Sequence, residues 1–137
     1  FSGLDLEIAL SSQSGHYDRA KKAIETIHLF FPSWLQPVIA MVDLRIAQGQ
    51  NELPRELRNH MIKRPERLDL WRALARFATS FKQEHLLFEA RGWDAFLHGK
   101  MEVAKTQLKQ ARNAWPENLD SRPLDLLNVA IITTETL

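Results

Sequence analysis

Three glycine-to-proline copies recur along this chain of 137 residues, and they constrain its fold more than any other feature. The copies run from Gly15 to Pro32, from Gly49 to Pro65 and from Gly99 to Pro116. Glycine accepts the left-handed backbone that ends one helix, and proline cannot continue the next. A helix of about four turns that starts after glycine and ends at proline, repeated in this way, predicts a solenoid of helical hairpins.

Apolar residues spaced three and four positions apart predict amphipathic helices between these glycines and prolines. We expect an all-α domain of about eight antiparallel helices, because connections of two to four residues place consecutive helices side by side. The predicted hairpins cover residues 4–31, 33–64 and 67–98, the best single repeat covers 84–115, and a terminal helix covers 121–133.

Three local features refine this prediction. Pro54 falls inside the helix predicted over 52–63, where it is compatible only with the first turn. Lys82 and Gln83 are expected to form a turn. The stretch from Ile131 to Thr134 is β-prone, and we expect a frayed helix end there rather than a strand.

Composition places the chain among globular proteins. Hydrophobic residues make up 45% of the sequence and charged residues 26%, and no apolar run reaches the roughly 18 residues of a membrane span. Cysteine is absent, so disulfides and thiolate metal sites are excluded and the redox compartment stays open. The chain starts at Phe1 without a leader pattern, and we expect it to be one domain of a longer protein.

The third copy resembles the tetratricopeptide repeat, whose pattern is aromatic, glycine, small, glycine, aromatic, alanine, aromatic, alanine and proline. The matching positions are Phe88, Gly92, Ala95, Gly99, Met101, Ala104, Leu108, Ala111 and Pro116. The first copy is similar at Gly15, Tyr17, Ala20 and Pro32, whereas the second copy departs from the pattern at Asn51 and Pro54. The resemblance implies stacked hairpins that bind protein partners. Gly92 and Ala104 would let two helices approach closely, and Ala111 would make room for the next repeat.

A narrower resemblance links residues 65–112 to the C-terminal repeat region of periplasmic zinc metallopeptidases of the beta-barrel assembly-enhancing type. The residues that carry it are Pro65, Leu70, Trp71, Leu74, Ala75, Leu87, Ala90, Arg91, Gly99, Ala104, Leu108 and Ala111. It implies a location in the bacterial envelope and a role in handling outer-membrane assembly machinery or its clients. On this alternative, the chain is a docking domain and the catalytic domain lies upstream of Phe1.

The sequence contains no recognisable catalytic constellation. The metallopeptidase motif His-Glu-x-x-His is absent, because none of the five histidines is followed by glutamate. No two histidines lie three or four positions apart, so no pair can bind a metal from one helix face. Carboxylates such as Glu84 and Glu89 are expected to be solvated. We therefore predict no catalytic residue, metal site or cofactor in this segment, and leave open whether the full-length protein is an enzyme.

Residues 55–76 form an arginine-rich segment, with seven Lys and Arg residues against three carboxylates, in a chain of net charge +1. Three interpretations stay open: a solvated helix face, a surface for an acidic protein, and a nucleic-acid site. Nucleic acid is the weakest of the three, because the chain is nearly neutral and stacking aromatic residues do not interleave the arginines.

A protein or peptide partner is the predicted ligand. The candidate contact residues are Arg72, Arg76, Arg91 and Trp93. Tryptophans at helical spacing are, however, usually core residues, since each buries about 150–250 Å². We expect Trp71 and Trp93 to be buried, and Trp34 and Trp115, which flank prolines, to be less so. The sequence does not identify the partner.

Overall fold

The computed structural model describes residues 17–136, and every regular element in that range is a helix. The helices are α1 (Tyr17–Phe30), α2 (Leu35–Gln48), α3 (Arg55–Lys63), α4 (Leu68–Ser80), α5 (Glu84–Leu97), α6 (Met101–Ala114) and α7 (Arg122–Thr136). The predicted all-α class is confirmed for this part of the chain. Gly15 and the helix predicted near residue 4 lie outside the described residues.

Glycine and proline mark the helix ends at the positions expected from the sequence. Pro32, Pro65 and Pro116 lie in the connections after α1, α3 and α6, while Gly49 and Gly99 follow α2 and α5. These residues therefore set the helix boundaries that the copies predict.

Two boundaries differ from the prediction. Helix α3 begins at Arg55, so Pro54 precedes the helix instead of lying in its first turn. The carbonyl of Pro54 accepts a hydrogen bond of 3.1 Å from the N–H of Leu57, and this position needs no N–H of its own. Helix α7 extends to Thr136 without fraying at 133, and its Thr134 hydroxyl donates to the Ala130 carbonyl at 2.9 Å.

Three helix connections share one hydrogen-bonding pattern. They contain Gly49, Lys82 and Gly99, whose φ angles are 69°, 53° and 75°. In each connection, the N–H of the following residue donates to the carbonyl five positions back, at 2.8 to 2.9 Å. This is the hydrogen bond of a Schellman motif, in which the left-handed residue is usually glycine. Lys82 therefore adopts a backbone conformation that is strained for a residue with a Cβ.

The chain divides into two compact units, Phe1–His60 and Met61–Leu137. In the described part of the first unit, α1 packs against α2. Its core contains the buried side chains of Ala20, Ile24 and Leu44. The Tyr17 hydroxyl donates to the carbonyl of Ala47 at 3.2 Å, which joins the start of α1 to the end of α2.

The second unit contains α4 to α7. Helix α5 packs against both α4 and α6, and α7 packs against α6 and also contacts α5. Trp71 of α4 and Trp93 of α5 stack with their ring centroids 4.9 Å apart, and each is only 2% exposed. The prediction that these two tryptophans are core residues is confirmed.

Gly92 allows α5 to pack closely against α6 and α7. A Cβ at this position would lie 2.7 Å from Cδ2 of Leu127 in α7 and 3.8 Å from the carbonyl oxygen of Ala104 in α6. The first distance is well inside the optimal carbon–carbon separation of roughly 3.5–4.0 Å. Ala104 and Ala111 are fully buried as well. The small residues on α5 and α6 are thus enclosed by neighbouring helices.

Polar contacts between exposed side chains join α6 to α7. The Lys105 ammonium lies 2.6 Å from the Glu135 carboxylate and 3.3 Å from that of Glu102. Hydrogen bonds to Glu135 and then Glu102 raise the pKa of Lys105. Arg112 lies 3.8 Å from Asp125. Solvent screens these pairs, so they orient α7 more than they stabilise it.

Asp120 organises the chain before α7. Its Oδ1 accepts the backbone N–H of Arg122 at 2.9 Å, and its Oδ2 accepts the Nε–H of the same residue at 2.7 Å. The backbone hydrogen bond and then the side-chain hydrogen bond lower the pKa of the Asp120 carboxyl. The indole N–H of Trp115 donates to the Asp120 carbonyl at 3.1 Å.

The expectation that Glu89 is solvated is wrong, because its side chain is fully buried. Glu89 lies three residues after Leu86 and four before Trp93, so it shares the buried face of α5 with both. It takes part in a polar interaction there. This satisfies the general requirement that a buried charged group have a partner.

Candidate functional site

The second unit contains a groove of about 440 Å³ beside the α5–α6 hairpin. Helix α5 contributes Arg91, Asp94 and His98, which lie on one face because they are spaced by three and four residues. Helix α4 contributes Arg72, and α6 contributes Val103. The stacking of α4 on α5 and of α5 on α6 therefore brings side chains from three helices to one concavity.

The α5–α6 turn adds Lys100 to the groove. Gly99 takes the left-handed conformation there, and the N–H of Lys100 donates to the carbonyl of Ala95 at 2.8 Å. Lys100 is also the residue that precedes α6, and its side chain makes no capping hydrogen bond. The turn thus leaves a cation at the amino end of α6, where the helix dipole is positive as well.

Positive charge dominates the groove. Arg72, Arg91 and Lys100 are exposed, and none of the three forms an ion pair with another residue in the range 17–136. Asp94 is the carboxylate of the groove, and its Oδ1 lies 2.8 Å from Nδ1 of His98. Three cations without an internal counter-ion attract an anion, and two of them are arginines that can bind a carboxylate through two hydrogen bonds.

The remaining lining is apolar or amide in character. Val103 and Ala95 both line the groove, and they are 48% and 7% exposed. The amide oxygen of Gln107 is buried and finds no hydrogen-bond partner among the described residues. The groove can therefore accommodate an apolar group beside the anion.

The structure brings together two of the four residues predicted for partner contact. Arg72 and Arg91 line the groove, whereas Arg76, one turn further along α4, does not. Trp93 is buried against Trp71 and is not accessible to a partner. Trp93 thus supports the groove by holding α4 against α5.

Sequence reasoning missed Asp94, His98, Lys100, Val103 and Gln107 as groove residues. A signal was present in the spacing of Arg91, Asp94 and His98, which places them on one helix face. The pattern could not reveal which face lies beside α4, because that depends on how the two tryptophans stack.

The arginine-rich segment contains ion pairs of its own. Arg64 lies 3.4 Å from Glu66, and Arg67 lies 3.1 Å from Asp69. Two of its arginines thus have carboxylate neighbours within the segment. Arg72, at its far end, contributes to the groove instead.

The first unit contains a smaller cavity of about 110 Å³ between α1 and α2. Its lining includes both signs of charge, with Lys21 and Glu25 4.0 Å apart and Arg45 and Glu56 also present. The cavity therefore has no excess charge that favours one class of ligand.

Among residues 17–136, no group of three histidine, aspartate or glutamate side chains is arranged to hold a metal ion. None of the seven helices combines the length and the apolar character needed to cross a membrane.

Comparison of the chain with protein-family models, with curated proteins and with solved structures found no match.

Proposed function

We propose that this chain is a protein-interaction module built from stacked helical hairpins of the tetratricopeptide type, and that the groove beside α5 and α6 receives the partner. The observation that carries the proposal is the packing of successive helices around Gly92. Helix α5 contacts the helix before it and the two helices after it, as in a stack of hairpins in which each pair packs on its neighbours.

The small residues support this interpretation. Gly92 faces Ala104 within the α5–α6 hairpin and Leu127 of the following helix, so its lack of a side chain serves both contacts. Ala111 is fully buried on α6, the helix that packs against α7. These are the positions where the tetratricopeptide pattern places glycine and alanine.

The groove gives such a stack a place for a partner. Its volume of about 440 Å³ lies within the range of roughly 300–1,000 Å³ that holds small ligands. It can take a few residues of a peptide segment, and the exposed helix faces around it can contact more of the partner. Solenoid proteins use extended surfaces of this kind to bind other proteins.

Site-directed photo-crosslinking in cells that express the chain tests the proposal. A benzophenone amino acid replaces Val103 in the groove or, as a matched control, Val129 on α7, which is similarly exposed at 57%. We expect a protein adduct from position 103 and not from position 129. The protein identified by mass spectrometry is then purified, and it should bind the purified chain with a Kd of about 100 µM or tighter.

Two results would overturn the proposed function. One is the absence of any protein adduct at position 103, and the other is an identical set of adducts at both positions. A protein that crosslinks at position 103 but fails to bind when purified would count against the proposal as well.

A further inference from the structure

We infer that the groove selects an acidic protein segment in which carboxylate side chains flank an apolar one. This inference rests on the proposed function and specifies the chemistry of the partner. Its basis is that Arg72, Arg91 and Lys100 line the groove together with Val103, and that these three cations have no counter-ion among residues 17–136.

Carboxylates match the cations of the groove. The planar guanidinium groups of Arg72 and Arg91 can each donate two parallel hydrogen bonds to one carboxylate, and the Lys100 ammonium adds a point charge. Opposite charges attract more strongly at the effective dielectric constant of a protein surface than they do in bulk water. Desolvation and side-chain ordering offset much of this attraction, so selectivity and association rate gain more than affinity.

Val103 and Ala95 are the apolar residues of the groove lining, and they indicate that the bound segment carries an apolar side chain. Val103 is nearly half exposed and lines the groove, and Ala95, which is almost fully buried, also belongs to the lining. A leucine-sized side chain placed there would bury apolar area between the ionic contacts. A purely polar polyanion would leave this apolar contact unmade, so we expect it to bind less tightly than a segment with both kinds of side chain.

Nucleic acid fits the groove less well than an acidic peptide. The lining has no Phe, Tyr or Trp on which a base could stack, whereas Val103 can contact an apolar side chain of a peptide. Arg64 and Arg67 already have carboxylate neighbours, which offset their attraction for a phosphate backbone.

Fluorescence anisotropy with three labelled probes tests the inference on the whole chain. The probes are a twelve-residue peptide of three Glu-Leu-Glu-Gly repeats, the same peptide with Gln in place of Glu, and an oligothymidylate of twelve nucleotides. We expect the Glu peptide to bind at least tenfold more tightly than either of the others. Its affinity should fall as NaCl rises from 0.1 to 1 M, since the Debye length drops from about 10 Å to about 3 Å.

A matched pair of variants locates the binding. One carries Arg72→Gln, Arg91→Gln and Lys100→Gln, and the other carries Lys22→Gln, Lys63→Gln and Lys109→Gln at exposed positions outside the groove. Both lose three positive charges. We expect the groove variant to lose at least tenfold in affinity and the control less than twofold, with unchanged far-ultraviolet circular dichroism in both.

A charge-reversal variant distinguishes the loss of a specific contact from the loss of the fold. The Arg91→Glu variant should lose affinity for the Glu peptide and gain affinity for the corresponding peptide with Lys in place of Glu. A variant that simply unfolds would bind neither peptide. The inference also fails if both triple variants lose affinity equally, or if the Gln peptide binds as tightly as the Glu peptide.

The outcomes separate this inference from the proposed function. Groove-dependent binding of oligothymidylate in preference to the Glu peptide would overturn both. Failure of the Glu peptide, together with a purified partner that crosslinks at position 103, would overturn only the acidic selectivity. Binding of the Glu peptide without any protein partner would support an anion site and overturn the interaction module.

Discussion

Trp71 and Trp93 stack nearly parallel across the contact of α4 and α5, with 9° between their ring planes. Their indole nitrogens differ in environment. The Trp71 N–H donates to the carbonyl of Pro65 at 2.8 Å, whereas the Trp93 N–H is buried and has no hydrogen-bond partner among the described residues. The two rings thus contribute similar packing but unequal hydrogen bonding.

We expect Trp71→Phe to reduce the free energy of unfolding by about 1 kcal/mol more than Trp93→Phe does. Both substitutions shrink the stack, but only the first removes a hydrogen bond and leaves the Pro65 carbonyl without its donor. Urea unfolding followed by circular dichroism measures the difference. Equal losses would show that the bond to Pro65 contributes nothing.

Gly92→Ala tests the close approach of α5 and α7. Alanine gains about 0.8–1.0 kcal/mol in helix propensity over glycine, but here its Cβ would overlap Leu127, which is fully buried and has little room to move. Overpacking typically costs about 1–3 kcal/mol, so we expect net destabilisation.

A double-mutant cycle supplies the control for this prediction. In a Leu127→Ala background the overlapping methyl group is absent, and Gly92→Ala should then stabilise the protein by up to about 1 kcal/mol. The sign of the effect should therefore reverse between the two backgrounds. An identical effect in both would mean that Gly92 and Leu127 are not in contact.

The turn between α4 and α5 offers a substitution that should stabilise the protein. Lys82 has a φ of 53° where the equivalent turns have glycine, and the left-handed conformation costs a residue with a Cβ roughly 1–2 kcal/mol. Because glycine is also more flexible in the unfolded chain, we expect Lys82→Gly to gain no more than about 1 kcal/mol.

Gly99→Ala is the opposite change in an equivalent turn, and we expect it to destabilise by about 1 kcal/mol or more. The added Cβ would meet no atom within 4 Å, so the loss would report backbone strain alone. Thermal unfolding measures both variants. A stabilised Gly99→Ala variant would show that the left-handed turn is absent.

The lowered pKa of the Asp120 carboxyl, just before α7, is expected to make the stability of the protein depend on pH. Its pKa is lowered in the folded state, so its contribution to stability is present above the ordinary carboxyl pKa of about 3.9 and is lost as the pH falls through the lowered value. Carbon-13 NMR of the Asp120 carboxyl measures that pKa. In Arg122→Gln the pKa should rise only part of the way to its ordinary value, because the backbone N–H of residue 122 remains.

Full recovery of the ordinary pKa in Arg122→Gln would contradict this account of Asp120, since it would assign the whole effect to the guanidinium. An unshifted pKa in the parent would contradict it more directly. In an Asp120→Asn variant, the part of the pH dependence of stability that comes from this carboxyl should be absent.

The helix pattern could be predicted from the sequence because local chemistry determines it. Gly49, Gly99, Pro65 and Pro116 act on the backbone wherever they occur, and apolar spacing identifies the face that each helix buries. The left-handed turn at Lys82 has no such marker. There, the hydrogen bonds of the α4–α5 connection impose the conformation in spite of the side chain.

The groove could be predicted only in part. The sequence identifies Arg72 and Arg91 as candidate contact residues, but their shared position depends on the tryptophan stack between α4 and α5. Lys100 reaches the groove because the turn at Gly99 places it there. The spacing of residues in the sequence does not predict where that turn directs the chain. Glu89 shows the same limit, since a charged residue at a buried helix position looks like a surface residue in the sequence.

NMR detection of arginine side chains during titration with the acidic peptide of Glu-Leu-Glu-Gly repeats shows directly whether the groove binds an acidic partner. We expect the Nε–H resonances of Arg72 and Arg91 to shift progressively, while that of Arg112, which lies outside the groove beside Asp125, stays unchanged. Unchanged resonances of Arg72 and Arg91, or equal shifts at Arg112, would contradict the claim that this groove binds an acidic partner.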